Sequence, residues 1–406
     1  MTLIKNGTIV TEKGEIAGHA LAIDDERIAA IVPDGGERDV ARRATSGGST
    51  AREVIDAEGG YVIPGFVDIH SDYIEHMTSP RPTSVMDFSL GLRETERELV
   101  SHGITTMFHS LSIYKRALFS EKPIRNPENV RKFADVIARS HSSLHLIRHR
   151  FHARFEIDNI DRTEELLEYI REGKVHLVSF MDHTPGQGQY RDIEMYRSTL
   201  KGYQDLSESE LDRIVAETQG SRKLTLDRIS EIAGIARERG IAVASHDDDS
   251  VEKLAFARSF GTTISEFPIT LEVAREAKAL GFHTIAGAPN VLLGGSHSGN
   301  LSAEEAIADG CVDILCSDYY PAAMIHAVFS LHDRRGIPLH ELVNLVTINP
   351  ARAVLMDGEI GSIEVGKKAD VLVVKRIENG FPVVAHAIVD GKEVFSSRYR
   401  TEGRTV

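Results

Sequence analysis

The chain contains no tryptophan and only 2 cysteines in 406 residues. Cys311 and Cys316 stand at a spacing that matches no common zinc or thiol-redox motif, so neither a disulfide framework nor a cysteine-held metal is expected. Long hydrophobic runs are missing too. Apolar residues make up 41% of the chain, yet no stretch approaches the ~20 consecutive residues that cross a bilayer, and a soluble protein is expected. The opening residues, Met1-Thr2-Leu3-Ile4-Lys5-Asn6, carry no basic segment leading into an apolar one, which fits a cytoplasmic location. Positive charge is in deficit, with 47 Lys and Arg against 61 Asp and Glu and a formal net charge of -14. Such broad negative potential excludes nucleic acid and anionic membranes as partners. Small anions stay allowed wherever Arg, His and a bound cation line one pocket.

What is present divides into three stretches. Short strands joined by turns occupy the first ~60 residues, at Leu3 to Val10, Ala20 to Ile23, Arg27 to Val32 and Glu53 to Ile55. The same character returns in the last ~45, at Ala369 to Val374, Val383 to Val389 and Glu393 to Phe395 around the turn Asp390-Gly391. These ends predict one small β-sandwich domain composed of residues 1–62 and 355–406, with Ala41 to Ala51 as a surface loop. Between them, apolar runs alternate with helical patterns such as Ile229 to Arg239 and Leu271 to Leu280. The runs are Phe66 to Asp72, Gly103 to His109, Leu144 to Ile157, Val175 to His183, Ile241 to His246, Thr262 to Phe267, Phe282 to Ala286 and Val312 to Asp318. Eight of them predict an α/β fold, a TIM-like (β/α)8 barrel over residues 63–354. An open doubly wound sheet is the rival, but no glycine-rich dinucleotide fingerprint follows any strand.

Ionisable residues recur at the carboxyl ends of these runs: His70 with Asp72, His109, Glu156, His183, His246 with Asp247, Glu266 and Asp318. Barrel active sites form at that face. His70, Asp72, His246 and Asp318 are the foremost metal-ligand candidates, because residues two apart in a strand share a side and imidazole with carboxylate suits a divalent ion. Glu156 is the candidate bridging carboxylate, and His183 either a ligand or a substrate contact. Glu266 reads equally as a helix cap. Such a centre lowers the pKa of a bound water, and Asp318, with His246 and His183 around it, is placed to take the proton. One or two divalent ions, Zn, Mn or Fe, are implied.

A second constellation, Gly287-Ala288-Pro289-Asn290 followed by Gly294-Gly295-Ser296-His297-Ser298-Gly299-Asn300, reads as a phosphate cradle: glycines admit close backbone approach while Ser, His and Asn add donors. Asn290, Gly294, Gly295, Ser296, His297, Ser298 and Asn300 are its candidate contacts. A merely flexible loop is the alternative. Arg81, between Pro80 and Pro82, is a candidate phosphate clamp. Arg148, Arg150 and Arg154 fall close together, and only some of them are expected to reach one pocket. Tyr190 to Thr218 is long, charged and helix-prone, and reads as a lid or as a contact in a homo-oligomer.

With these residues assembled, the chain resembles the amidohydrolase superfamily, and within it the diphosphatases of the carbon-phosphorus lyase pathway. The resemblance rests on Val62 to Asp72, Pro80-Arg81-Pro82, Leu177 to Gln187, Ala244 to Asp248, the cradle, and Ser317-Asp318-Tyr319. It implies hydrolysis of a small phosphorylated ribosyl substrate, α-D-ribose 1-methylphosphonate 5-triphosphate or a close ribosyl triphosphate, to the 5-phosphate and pyrophosphate. It also implies that His70, Asp72, Glu156, His246 and Asp318 hold metal or activate water. Two positions depart from the family pattern, Tyr73 in place of Asn and Leu293 in place of Arg. Losing that arginine removes a bidentate phosphate donor, so either Arg81 substitutes or the substrate differs. Two competing functions remain open: hydrolysis of a C-N bond at the same centre, and a non-catalytic scaffold.

Overall fold

A computed structural model describes residues 1–35, 53–81, 83–115, 122–203, 205–295 and 300–400. Five strands come first: β1 Thr2–Thr11, β2 Gly14–Asp24, β3 Arg27–Pro33, β4 Glu53–Asp56 and β5 Tyr61–Pro64. Eight follow, alternating with helices: β6 Phe66–Ser71, β7 Ile104–Ile113, β8 Arg148–Glu156, β9 Leu177–Met181, β10 Ala242–His246, β11 Ile264–Glu266, β12 His283–Gly287 and β13 Ile314–Cys316. Three close the chain: β14 Val371–Arg376, β15 Pro382–Val389 and β16 Lys392–Ser396.

β6 to β13 pair in sequence order, every pair parallel, as expected when strands are buried on both faces. Each of the eight apolar runs overlaps one of them, with β7 continuing past His109 to Ile113 and β12 past Ala286 to Gly287. The barrel closes at the carboxyl end, where Ser71 bridges Asp318, Asp318 N–H donates to His70 O at 3.1 Å and Asp72 N–H to Asp318 O at 3.0 Å. Lower down the seam is filled by other backbone: Val67 N–H donates to Val346 O at 2.8 Å and Leu315 N–H to Leu345 O at 2.9 Å. Closure is therefore direct at the end where the ionisable residues gather. Val67, Phe108, Leu177, Ala244, Ile264 and Ile314 belong to one apolar cluster inside the barrel and form a dry floor beneath them.

The terminal strands form a separate, mostly antiparallel sheet in the order β16-β15-β14-β5-β1-β2-β3, with β4 also on β1. It folds back on itself, because Ile28 N–H donates to Lys367 O at 2.9 Å and Gly366 N–H to Ile28 O at 2.9 Å just ahead of β14. The turn between β15 and β16 needs left-handed backbone at Asp390 (φ 46) and Gly391 (φ 72), and a Cβ at Gly391 would overlap Asp25 O at 1.8 Å. Arg148, at the start of β8, faces this sheet and forks to the buried Asp370 and to Asp390.

The helices at Leu226–Glu238 and Leu271–Ala279 lie where the periodicity predicts, and each starts after a threonine, Thr225 or Thr270, whose side chain accepts from the backbone three residues on. The insertion after β9 is a pair of helices, Ile193–Tyr203 and Glu208–Gln219, the second opened by a Ser207–Glu210 capping box. Tyr190, Tyr196, Leu200 and Leu211 give the pair a small core of its own. The expected loop at Ala41 to Ala51 lies outside the described residues.

Candidate metal centre

Two clusters of metal-competent side chains sit on the barrel floor. His70, His152 and Glu266 each offer a ligand atom within 4.8 Å of the others, and so do His183, His246 and Asp247. In the first, His70 Nδ1 lies 2.8 Å from Glu266 Oε1 and His152 Nε2 lies 3.7 Å from the same oxygen. Ser110 and Ser179 hold the His152 ring from either side at 3.0 and 2.8 Å. Burial pushes His152 down to about 3 and also holds His70 well below the usual histidine range, aided by the neighbouring Arg154 charge on His70. Both rings are therefore neutral, with lone pairs to offer.

In the second cluster, His246 Nδ1 and Asp247 Oδ2 stand 3.0 Å apart, and His183 Nε2 is 3.7 Å from that oxygen. Burial raises the Asp247 carboxyl, but His246, His183 and Lys253 outweigh it and hold the group ionised. Glu156 pairs with His183 Nδ1; burial opposes both charges, yet the pairing lowers the one and raises the other. The clusters adjoin, with the ring centroid of His246 5.4 Å from that of His70 and 5.8 Å from that of His183.

These residues fit a divalent ion on structural grounds. His246 Nδ1 and Asp247 Oδ2 are close but out of hydrogen-bond alignment, and with Glu266 Oε2 they are buried without a hydrogen-bond partner. Of these, Asp247 Oδ2 and Glu266 Oε2 are acceptors with nothing to accept from, and burying them is costly unless a cation satisfies them. The backbone adds a second sign. Asp247, Phe267 and Asp318 have φ of 53°, 57° and 57°, an unusual conformation for non-glycine residues that here ends three strands. Each N–H still bonds the next strand: Asp247 to Glu266 O, Phe267 to Ile285 O and Asp318 to His70 O. Burial, with Asp72, Asp68 and Asp247 nearby, pushes the Asp318 carboxyl up to about 7.

All six ligand candidates, His70, Asp72, Glu156, His183, His246 and Asp318, line one cleft of about 1480 Å3, along with Asn290, Gly295 and Asn300 from the cradle. Asp72 stands past the end of β6 at the start of the helix Tyr73–Thr78, 3.6 Å from Arg125 Nη2. Asn290 is engaged by backbone, its Nδ2 donating to Leu301 O at 2.9 Å and its Oδ1 accepting from Ala303 N–H at 2.9 Å. Gly294 ends the helix Ala288–Leu293 in a left-handed conformation and is not part of the lining. Ser296, His297 and Ser298 lie outside the described residues.

Arg81 is exposed and outside the cleft; the cations that line it are Lys115, Lys122, Arg125, Arg154, Arg162 and Arg222. The buried Glu75 accepts from Lys122 at 2.7 Å and from both Nε and Nη2 of Arg125. Three site residues carried a weak sequence signal or none. Glu266 reads as a cap, but Thr270 does the capping. Asp247 reads as a neighbour of a ligand. His152 carries no signal of its own in the sequence beyond sharing strand parity with Arg154 and Glu156. His109 points out of the barrel, 2.9 Å from His149, which reaches Glu96 at 3.1 Å.

Among the described residues no helix is long and apolar enough to cross a membrane. The model of the Amidohydrolase family matches residues 61–394. The α-D-ribose 1-methylphosphonate 5-triphosphate diphosphatase of Escherichia coli is 33% identical over 347 residues, 84% of this chain and 90% of that protein. The imidazolonepropionase of Symbiobacterium thermophilum is 26% identical, covering 91% of this chain and 86% of its own length. Among solved structures, an N-acetylglucosamine-6-phosphate deacetylase from Pasteurella multocida superposes over 98% of this chain and 100% of its own with a TM-score of 0.62 at 14% identity, which speaks to the fold alone. The chain belongs to the amidohydrolase family and is a hydrolase.

Proposed function

We propose that this hydrolase cleaves α-D-ribose 1-methylphosphonate 5-triphosphate, or a close ribosyl triphosphate, between the α and β phosphorus atoms, releasing pyrophosphate and the 5-phosphate. The observation that carries the reading is a cleft lined by His70, His183, His246 and Asp247, with His152 and Glu266 buried behind His70 and, among the described residues, six cationic side chains on its walls, in a chain 33% identical to a diphosphatase of that substrate. When bound, one or two divalent ions (Zn, Mn or Fe) supply Lewis acidity to the water and to the phosphoryl oxygens.

The chain's own residues do the rest. His70, His183, His246, Asp72, Glu156 and Asp318 are the proposed holders of the ions, and the geometry adds His152, Glu266 and Asp247 as candidates. Asp318 accepts a proton from the attacking water as its oxygen joins the α phosphorus, and the bridging oxygen leaves with pyrophosphate. A carboxylate just past the end of β13, beside the proposed ion holders, is placed for that transfer. Arg125 and Lys122, fixed by Glu75, meet the phosphate chain from the wall. The buried thiols of Cys311 and Cys316 support a reducing, cytoplasmic setting, and the helical insertion is the proposed lid or homo-oligomer contact.

The likeness to imidazolonepropionase favours one second reading, C-N bond hydrolysis at the same centre. Purified protein supplied with Zn, Mn or Fe and offered ribosyl triphosphates and cyclic amides decides between them. Pyrophosphate release, lost on chelation and restored by metal, is the expected result; ring opening without pyrophosphate release sinks the diphosphatase reading.

A further inference from the structure

β8 sends every second side chain into the barrel, and between the inward His152 and Glu156 stands Arg154. Its Nη2 donates to His246 Nε2 at 3.2 Å, and its Nε is buried with no hydrogen-bond partner. Among the described residues no carboxylate lies within ion-pair distance of it. Its surroundings are nonetheless acidic: its charge acts on Asp72, Glu156 and Asp318, and on His70, His152 and His183. The contrast with the other two arginines of β8 is sharp. Arg148 is committed to Asp370 and Asp390, and Arg150 to His141 and a backbone carbonyl.

A guanidinium has five donors and cannot shed its charge. With one hydrogen bond, to the His246 ring, Arg154 has a planar fork to spare above the apolar floor, where charge develops during attack on phosphorus. Hydrolysis of an amide develops a single oxyanion, whereas a phosphoryl centre carries two nonbridging oxygens that match the fork bidentately. We propose, building on the phosphoanhydride reading, that Arg154 is a catalytic residue that binds the nonbridging oxygens of the phosphoryl group under attack.

The test uses the full chain loaded with divalent metal and the variants Arg154→Gln, Arg154→Lys and Arg154→Ala, each checked for melting temperature and metal content. Losing one preorganised donor at a developing oxyanion is expected to lower kcat by about 10²–10³-fold. Affinity for orthophosphate, read by calorimetry, is expected to fall about 10- to 100-fold in Arg154→Gln. Arg154→Lys keeps the charge without the fork and should lie between, and added guanidinium ion should restore part of the turnover of Arg154→Ala. Turnover and orthophosphate affinity within about 3-fold of wild type in Arg154→Gln would overturn the assignment, and so would metal lost in step with activity. If no ribosyl triphosphate is hydrolysed, the diphosphatase reading falls by itself. Orthophosphate affinity then decides for Arg154: dependence on the arginine sustains its role, while equal affinity or no binding by wild type ends it.

Discussion

Replacing Asp318 by Asn separates chemistry from architecture at the seam of the barrel. The two side chains are nearly isosteric, so the change removes a proton acceptor, a negative charge and a carboxylate ligand for the ions while leaving the shape, and metal content is measured alongside. The backbone there is held by its own bonds, Asp318 N–H to His70 O at 3.1 Å and Asp72 N–H to Asp318 O at 3.0 Å, neither of which uses the carboxylate. Asn also tolerates the φ of 57° that closure demands. Asp318→Asn should therefore melt within a degree or two of wild type while pyrophosphate release falls by about 10²–10⁴-fold, the worth of a positioned acid or base. Asp318→Ala makes the complementary case. It loses the same chemistry and forces a Cβ-bearing, unassisted residue into the left-handed region at about 1–2 kcal/mol, so it should melt lower as well. Asp318→Gly restores the backbone freedom and should recover the melting temperature but not the turnover. Paired melting scans and steady-state rates give both readouts. An Asp318→Asn enzyme within about tenfold of wild-type turnover would remove Asp318 from the mechanism.

Two further expectations concern the frame. His176 Nδ1 accepts the Phe151 N–H at 3.1 Å, and burial, then the charges of Arg150 and His141, pushes its pKa down to about 3. With a folded value below the unfolded 6.5, the unfolded chain takes up the proton first; this contribution is complete above pH 6.5 and is lost as pH falls toward 3. At pH 5 the loss is about 1–2 kcal/mol, so His176→Asn, which keeps an acceptor but cannot titrate, should lose less stability between pH 7.5 and 5 than wild type by that amount; equal losses would refute the assignment. Arg148→Met strands the buried Asp370 while Lys368 still compensates Asp390 at 2.8 Å, so about 3 kcal/mol of destabilisation is expected in denaturant unfolding, and a change under about 1 kcal/mol would show the pair to be dispensable.

The barrel was legible because parallel strands buried on both faces must be near-continuous apolar runs, and a run ending in a charged side chain marks where the chain leaves the core. Periodicity states which residues share a face, but not which face turns inward. His109 shows the cost. It ends its apolar run as His246 does, yet on β7 the inward parity belongs to Phe108 and Ser110, and His109 joins His149 and Glu96 outside. His152 is the converse, since its parity with Glu156 was readable but hidden in a stretch where Arg and His alternate with nearly everything. At Asp72 the parity rule itself lapses. β6 ends at Ser71 and its pairing with β7 shifts register between Asp68 and Ser71, so the count of two from His70 does not alone set the direction of Asp72, which lines the same cleft as His70 and stands 3.6 Å from Arg125 Nη2.

Arg81 failed to reach the cleft for a different reason: prolines restrict the backbone around a residue but do not set the direction of the loop that carries it. The cationic wall is instead set by long-range pairing, with Glu75 from the helix after β6 drawing in Lys122 and Arg125 from the connection after β7. Glu266 follows the same logic. A carboxylate ahead of a helix looks identical in sequence whether it caps that helix or faces the barrel axis. Only once Thr270 is seen to satisfy the helix is Glu266 left free for His70. Local chemistry thus proposes the site residues, and the inward or outward sense imposed by barrel closure selects among them.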